Sequence, residues 1–198
     1  MRQSNRSTHR AFYALTFPRS TEAAIANLIA ELRAHDGGIV RWTPEENLHV
    51  TLRFLGELST DTFRKARQVM KQTELPHTCH LRFGEINGLP SLSRPNVIVL
   101  DLEGVTEEDQ KHLTDLQRTT ESFARTIGLP PEERAFRPHV TLGRVRRDQQ
   151  ISESLHSAVE NLHPVIPEVE ISDLVLIESF LSREGARYRV AEKCSLTW

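Results

Sequence analysis

The chain has 198 residues, 38% apolar and 26% charged, with a formal net charge of −2 at pH 7. This is the composition of a soluble globular protein, long enough for one large domain or two small lobes sharing a core. No apolar run approaches the roughly 20 residues of a membrane span, and the charge balance excludes a general attraction to polyanions, so any nucleic-acid contact must come from a local patch.

The polar, basic start from Met1 to Arg10 has no apolar segment behind it, so no signal peptide is expected and a cytoplasmic location is the default. Residues 10–17 form a strand closed by Pro18. Residues 21–35 form a helix, with Ala24, Ile25, Leu28, Ile29 and Leu32 at helical spacing, ended by Gly37 and Gly38. Strands follow at 39–42 and 48–55. A helix capped by Ser59 or Thr60 runs to about residue 73, and a strand covers 79–86. The order then recurs. A strand at 96–102 precedes a helix over 106–127, with Thr106 as cap and Glu107, Glu108 and Asp109 in the first turn, where the helix dipole favours acids. Gly128 to Pro131 stops it. A strand at 138–145 leads to a helix at 151–162. A final hairpin of 171–181 and 188–196 turns through Arg183, Glu184 and Gly185.

Strand, helix, strand, helix, strand therefore appears twice without a linker between the halves. The expectation is one domain over 1–198, internally duplicated, with one lobe over about 10–86 and the other over about 95–198. The fold class is α+β: two pseudo-symmetric lobes, antiparallel-rich sheets facing a central cleft, with helices packed on the outside.

Within this frame the tetrapeptide His-Val-Thr-Leu occurs at residues 49–52 and again at 139–142. Side chains alternate faces along a strand. His49 and Thr51 therefore share one face and Val50 and Leu52 the other, and the same holds for His139 and Thr141 against Val140 and Leu142. Each copy has an apolar face to bury and a polar face carrying an imidazole and a hydroxyl. Facing copies make a symmetric cleft suited to in-line displacement at phosphorus. One His takes a proton from attacking water, and the other gives a proton to the departing oxygen. The two Thr hydroxyls donate to the equatorial phosphoryl oxygens. No metal or cofactor is required by this logic.

The paired motifs, in the settings Asn47-Leu48-His49-Val50-Thr51-Leu52-Arg53-Phe54-Leu55-Gly56 and Arg137-Pro138-His139-Val140-Thr141-Leu142-Gly143-Arg144, resemble those of the two-histidine (2H) phosphoesterases. Within them the chain is most similar to the prokaryotic RNA 2′,3′-cyclic phosphodiesterases, also called 2′-5′ RNA ligases (LigT-like). The segments at 10–15 and 176–179 match as well. The resemblance implies hydrolysis of a 2′,3′-cyclic phosphate at an RNA end to a 2′-phosphomonoester, with His49 as proton donor to the leaving 3′-oxygen and His139 as proton acceptor. It implies an RNA or oligonucleotide partner, a role in RNA processing, and no membrane; a monomer is expected.

A basic residue commonly follows each motif in that family. Arg53 is expected on the same strand face as His49 and Thr51. Strict alternation turns Arg144 away from the cleft, unless Gly143 hosts a bulge that re-aims it. Thr51, Thr141, Arg144 and Arg53 are the phosphate-binding candidates. Phe12 has two open readings: stacking on a base, or a place in the core. Trp42 is read as packing near the cleft rim. Arg137, Arg144, Arg146 and Arg147 suit either a solvated strand end or a patch that tracks phosphates. His77, Cys79 and His80 lack a second ligand pair at a recognised spacing and are not read as a metal site. His9, His35, His112, His156 and His163 are read as surface residues. Cys79 and Cys194 are expected to be free thiols.

Two rivals stand beside hydrolysis. One is the reverse reaction, joining a cyclic phosphate to a 5′-hydroxyl as a 2′-5′ RNA ligase. The other is a non-catalytic RNA-end-binding protein, whose mark would be loss of a His or Thr from either motif; none is lost here.

Overall fold

The structure, a computed structural model, describes residues 8–182 and 185–197. Residues 1–7, with most of the basic N-terminal stretch, and 183–184 of the expected turn lie outside them.

Strand β1 (Thr8–Leu15) is followed by helix α1 (Arg19–Arg33), strand β2 (Val40–Trp42), a 3-10 turn (Glu45–Asn47) and strand β3 (Val50–Ser59). Helix α2 (Thr60–Gln72), strands β4 (Cys79–Leu89) and β5 (Val97–Gly104), and helix α3 (Glu107–Thr126) come next. Strand β6 (His139–Val145), helix α4 (Glu153–Asn161) and strands β7 (Val169–Ile171), β8 (Asp173–Ser182) and β9 (Gly185–Ser195) complete the chain.

The helix ends follow local chemistry. Ser59 accepts a hydrogen bond from the Thr62 amide at 3.2 Å, and Ser152 accepts one from Leu155 at 3.1 Å. Thr106 and Asp109 form a reciprocal capping box at the start of α3. Helix α1 ends at Arg33 with Ala34 as its C-cap, before the expected glycines; Gly37 and Gly38, at φ of +61° and +81°, supply the turn that leads on to β2. The stripe of Ile25, Leu28, Ile29 and Leu32 is buried, as its spacing predicts.

The strands form one curled antiparallel sheet in the order β7-β4-β5-β6-β3-β1-β8-β9, with β2 beside β6. The class is α+β, with helices on the convex side. α2 packs on β1, β3 and β9; α3 packs on β3, β4 and β5; α1 and α4 pack on each other, on β2 and on β4. Tyr13 of β1 is fully buried there, and its hydroxyl donates to the Ala66 carbonyl at 3.0 Å.

The sheet halves are not the contiguous halves of the sequence, which corrects the expected lobe boundaries. β8 and β9 cross back to extend β1, so the lobe of the first motif is β3-β1-β8-β9. β4 joins β5, so the lobe of the second motif is β7-β4-β5-β6 with β2. The exchange satisfies strand edges that each contiguous half would leave open. The segment read as one strand at 171–181 is divided at Ser172: β7 pairs with β4 and β8 with β1. Among the described residues, no helix is long and apolar enough to cross a membrane.

Candidate active site

The two lobes join where the motif strands meet. Val50 of β3 and Val140 of β6 are directly opposed in antiparallel register, and both are 0% exposed. Counting outward from this pair sets His49 across from Thr141 and Thr51 across from His139, on the face opposite the valines. Leu52 and Leu142 are buried with the valines. All four polar side chains are half-buried on the concave face. Burial of the apolar alternate thus fixes which way the imidazoles point.

Each imidazole is anchored in the same way. Nδ1 of His49 lies 2.7 Å from the Asn47 carbonyl oxygen, and Nδ1 of His139 lies 2.7 Å from the Arg137 carbonyl oxygen. A carbonyl only accepts, so Nδ1 carries the hydrogen in both rings. In the neutral tautomer each Nε2 is then an acceptor. The Thr51 hydroxyl sits 3.0 Å from Nε2 of His49 and donates to it. The surroundings of His49 lower its pKa from 6.5 to about 4: burial penalises the charged ring most, and the charges of His139 and Arg144 add to this against the Asn47 carbonyl. His49 is therefore neutral at pH 7 in the free protein, and the two histidines and Arg144 share one electrostatic neighbourhood.

Both strands carry a bulge just past the motif. Thr51 pairs with Ala14 and Arg53 with Tyr13, so Leu52 is the extra residue of β3. Thr141 pairs with Val99 and Gly143 with Ile98, so Leu142 is the extra residue of β6. Each bulge reverses the alternation beyond it. Phe54 and Arg144 consequently return to the concave face, while Arg53 and Gly143 turn toward the helices. A Cβ on Gly143 would meet Val40 Cγ1 at 2.6 Å and Trp42 Cε3 at 2.9 Å, so only glycine lets β2 lie this close.

The family model described as the 2′-5′ RNA ligase superfamily matches residues 19–179. The chain belongs to that superfamily. Among similar proteins, the RNA 2′,3′-cyclic phosphodiesterase of Aeropyrum pernix is 27% identical over 164 residues, 81% of this chain and 90% of its own. The RNA 2′,3′-cyclic phosphodiesterase of Methanothermobacter thermautotrophicus is 27% identical over 186 residues, 90% of this chain and 94% of its own. The crystal structure of E. coli LigT complexed with 3′-AMP superposes with a TM-score of 0.72 at 22% identity, covering 97% of this chain and all of LigT. That likeness carries the fold.

Two site expectations need correction in this superfamily member. Arg53 is not a cleft residue. The Leu52 bulge turns it inward, where it is 8% exposed; Nε donates to Glu121 at 2.6 Å, Nη1 to the Phe54 carbonyl at 2.6 Å and Nη2 to the Pro130 carbonyl at 2.5 Å. Its donors brace β3 against α3 and the loop beyond. Phe12 offers no face to a base. It is 3% exposed, with the rings of His49, Tyr188 and Phe54 packed over it at centroid distances of 4.8, 5.2 and 5.7 Å. It is the apolar floor beneath His49.

Tyr188 of β9 was missed. Its ring meets His49 edge-on at 5.3 Å and 83°, and burial raises its phenol pKa. No motif marks it, because it reaches the cleft only through the return of the C-terminal hairpin to β1. Asn47 helps to hold that wall, donating to the Ala186 carbonyl at 2.9 Å. Of the basic cluster, Arg137 is paired with Asp101 at 3.0 Å and Arg146 donates to the Gly38 carbonyl at 3.2 Å. Trp42 packs as expected, its Nε1 donating to Asp36 at 2.6 Å. His9 is less of a surface residue than expected: it lies 2.7 Å from Glu178 and stacks on Phe63. Among the described residues, no group of three His, Cys, Asp or Glu side chains is placed to hold a metal, and both cysteines are free.

Proposed function

We propose that this superfamily member is an RNA 2′,3′-cyclic phosphodiesterase that opens the cyclic phosphate to a 2′-phosphomonoester by metal-independent acid–base catalysis. The observation that carries the reading is the matched anchoring of His49 and His139 through Nδ1, which turns both Nε2 atoms toward one concave face, that of His49 beside the Thr51 hydroxyl. Water attacks phosphorus in line with the 3′-oxygen. The new P–O bond forms as the P–O3′ bond breaks. His139 Nε2 takes the proton from water and His49 Nε2 gives one to the 3′-oxygen. Once His49 Nε2 carries the proton, the Thr51 hydroxyl no longer donates to it; Thr51 and Thr141 then donate to the equatorial oxygens, and Arg144 neutralises charge there.

His49 is neutral in the free protein, so its role as donor needs the substrate's own charge. An anionic phosphate replaces the ring's lost solvation and raises its pKa, loading the proton that the leaving group requires. Free Cys79 and Cys194 support a reducing, cytoplasmic location. One sheet continuous through both motif strands supports a single domain, and the reading is of a monomer.

The test is turnover of adenosine 2′,3′-cyclic phosphate in EDTA. Adenosine 2′-phosphate is the expected product, and its absence overturns the reading.

A further inference from the structure

Arg41 and Arg144 are directly opposed across the β2–β6 pair. Their neighbours Val40, Trp42 and Gly143 face the core, so both guanidinium groups lie on the concave side. Like charges facing each other across a strand pair destabilise it. Arg82, Arg137 and Arg189, also exposed on strands or at a strand start, are each neutralised, Arg82 by Glu103 at 2.9 Å, Arg137 by Asp101 at 3.0 Å and Arg189 by Glu178, whereas Arg41 and Arg144 are opposed to each other. Arg41 and Arg144 have no carboxylate partner among the described residues, in a chain whose 27 acids outnumber its 25 lysines and arginines. The close packing of Trp42 and Val40 over Gly143 holds β2 in this register and keeps the two cations together.

An unneutralised pair of arginines in fixed register is a site for an anion, and a guanidinium pair suits phosphate. Arg144 already acts electrostatically on His49, at the reacting phosphate. Arg41 stands one strand further out. An RNA that ends in a cyclic phosphate has no nucleotide beyond it, so a second phosphate lies only on the 5′ side.

Resting on the proposed function, we infer that Arg41, beside Arg144, binds the phosphate 5′ to the terminal cyclic nucleotide and makes the enzyme prefer substrates that carry it. The preference is read from phosphate, not base, and so is independent of sequence.

The experiment compares adenosine 2′,3′-cyclic phosphate with and without a 5′-phosphate, on the wild-type chain and on Arg41→Gln. The wild type should favour the 5′-phosphorylated substrate by about tenfold in kcat/KM, carried in KM, and Arg41→Gln should abolish the preference. On a short RNA with a cyclic end, the salt slope of log KM should fall by about one in the variant. Equal losses on both substrates, or no change in the preference, overturn the assignment. If the wild type turns over neither substrate, the proposed function fails; binding of adenosine 3′,5′-bisphosphate against adenosine 3′-phosphate then reads the same preference without chemistry.

Discussion

Arg53 and Gly143 occupy matching places in the two motif copies, each one residue past a bulged leucine and each turned from the cleft toward the helices. The pair shows the halves solving one geometric problem differently. Arg53 reaches Glu121 at 2.6 Å and two backbone carbonyls under β3, whereas Gly143 leaves room for β2. Replacing Arg53 by Ala leaves the Glu121 carboxylate of α3 without its guanidinium partner and empties the space under β3. The expected loss is about 3 kcal/mol of unfolding free energy, measured by denaturant titration, with kcat at 25 °C changed less than about threefold.

Gly143→Ala tests the other half. A Cβ at 2.6 Å from Val40 must push β2 off β6, and overpacking of this kind costs about 1–3 kcal/mol. Thermal melting reads the loss, and KM for cyclic-phosphate RNA should rise with it as Arg144 loses its position.

The histidines should behave in the opposite way. Both are half-buried on the concave face, and under the proposed function they act on the reacting groups. His49→Ala and His139→Ala should each lower kcat by about 10²–10⁴-fold, as expected for loss of general acid or base catalysis. Unfolding free energy should change by no more than about 1 kcal/mol. Steady-state kinetics beside denaturant melts checks both figures.

The pH profile separates the roles of the rings. His49 holds its proton in the free protein only below about pH 4. As donor it must be protonated, so it sets the alkaline limb of kcat/KM, which reports the free enzyme. Bound phosphate raises that pKa, so the alkaline limb of kcat should lie at higher pH than that of kcat/KM. Coincident alkaline limbs would mean that bound phosphate does not load the His49 proton, and a His49 limb on the acid side would make His49 the acceptor.

Much of this was legible in the sequence because it depends on local periodicity. The buried stripe of α1, the capping residues Ser59 and Thr106, and the repeated His-x-Thr face all follow from spacing within one element. Arg53 was misplaced because alternation holds only while the ladder is regular, and the Leu52 bulge is set by pairing with β1. For Arg144 the sequence leaves two placements open, turned away by strict alternation or re-aimed by a bulge at Gly143, and the ladder decides between them with its extra residue at Leu142. Tyr188 and the burial of Phe12 depend on β9 returning beside β8 and β1, a long-range exchange that neither strand's own sequence specifies. The carbonyl anchors of the two imidazoles are backbone features, which no residue type signals.

The most direct measurement of the central claim is the fate of an RNA with a 2′,3′-cyclic phosphate end, incubated with the protein in EDTA and ¹⁸O-labelled water, its products resolved by position. A 2′-phosphate carrying one ¹⁸O, lost in both the His49→Ala and His139→Ala variants, is the predicted result. A 3′-phosphate, or a product yield that survives either substitution, would contradict the account.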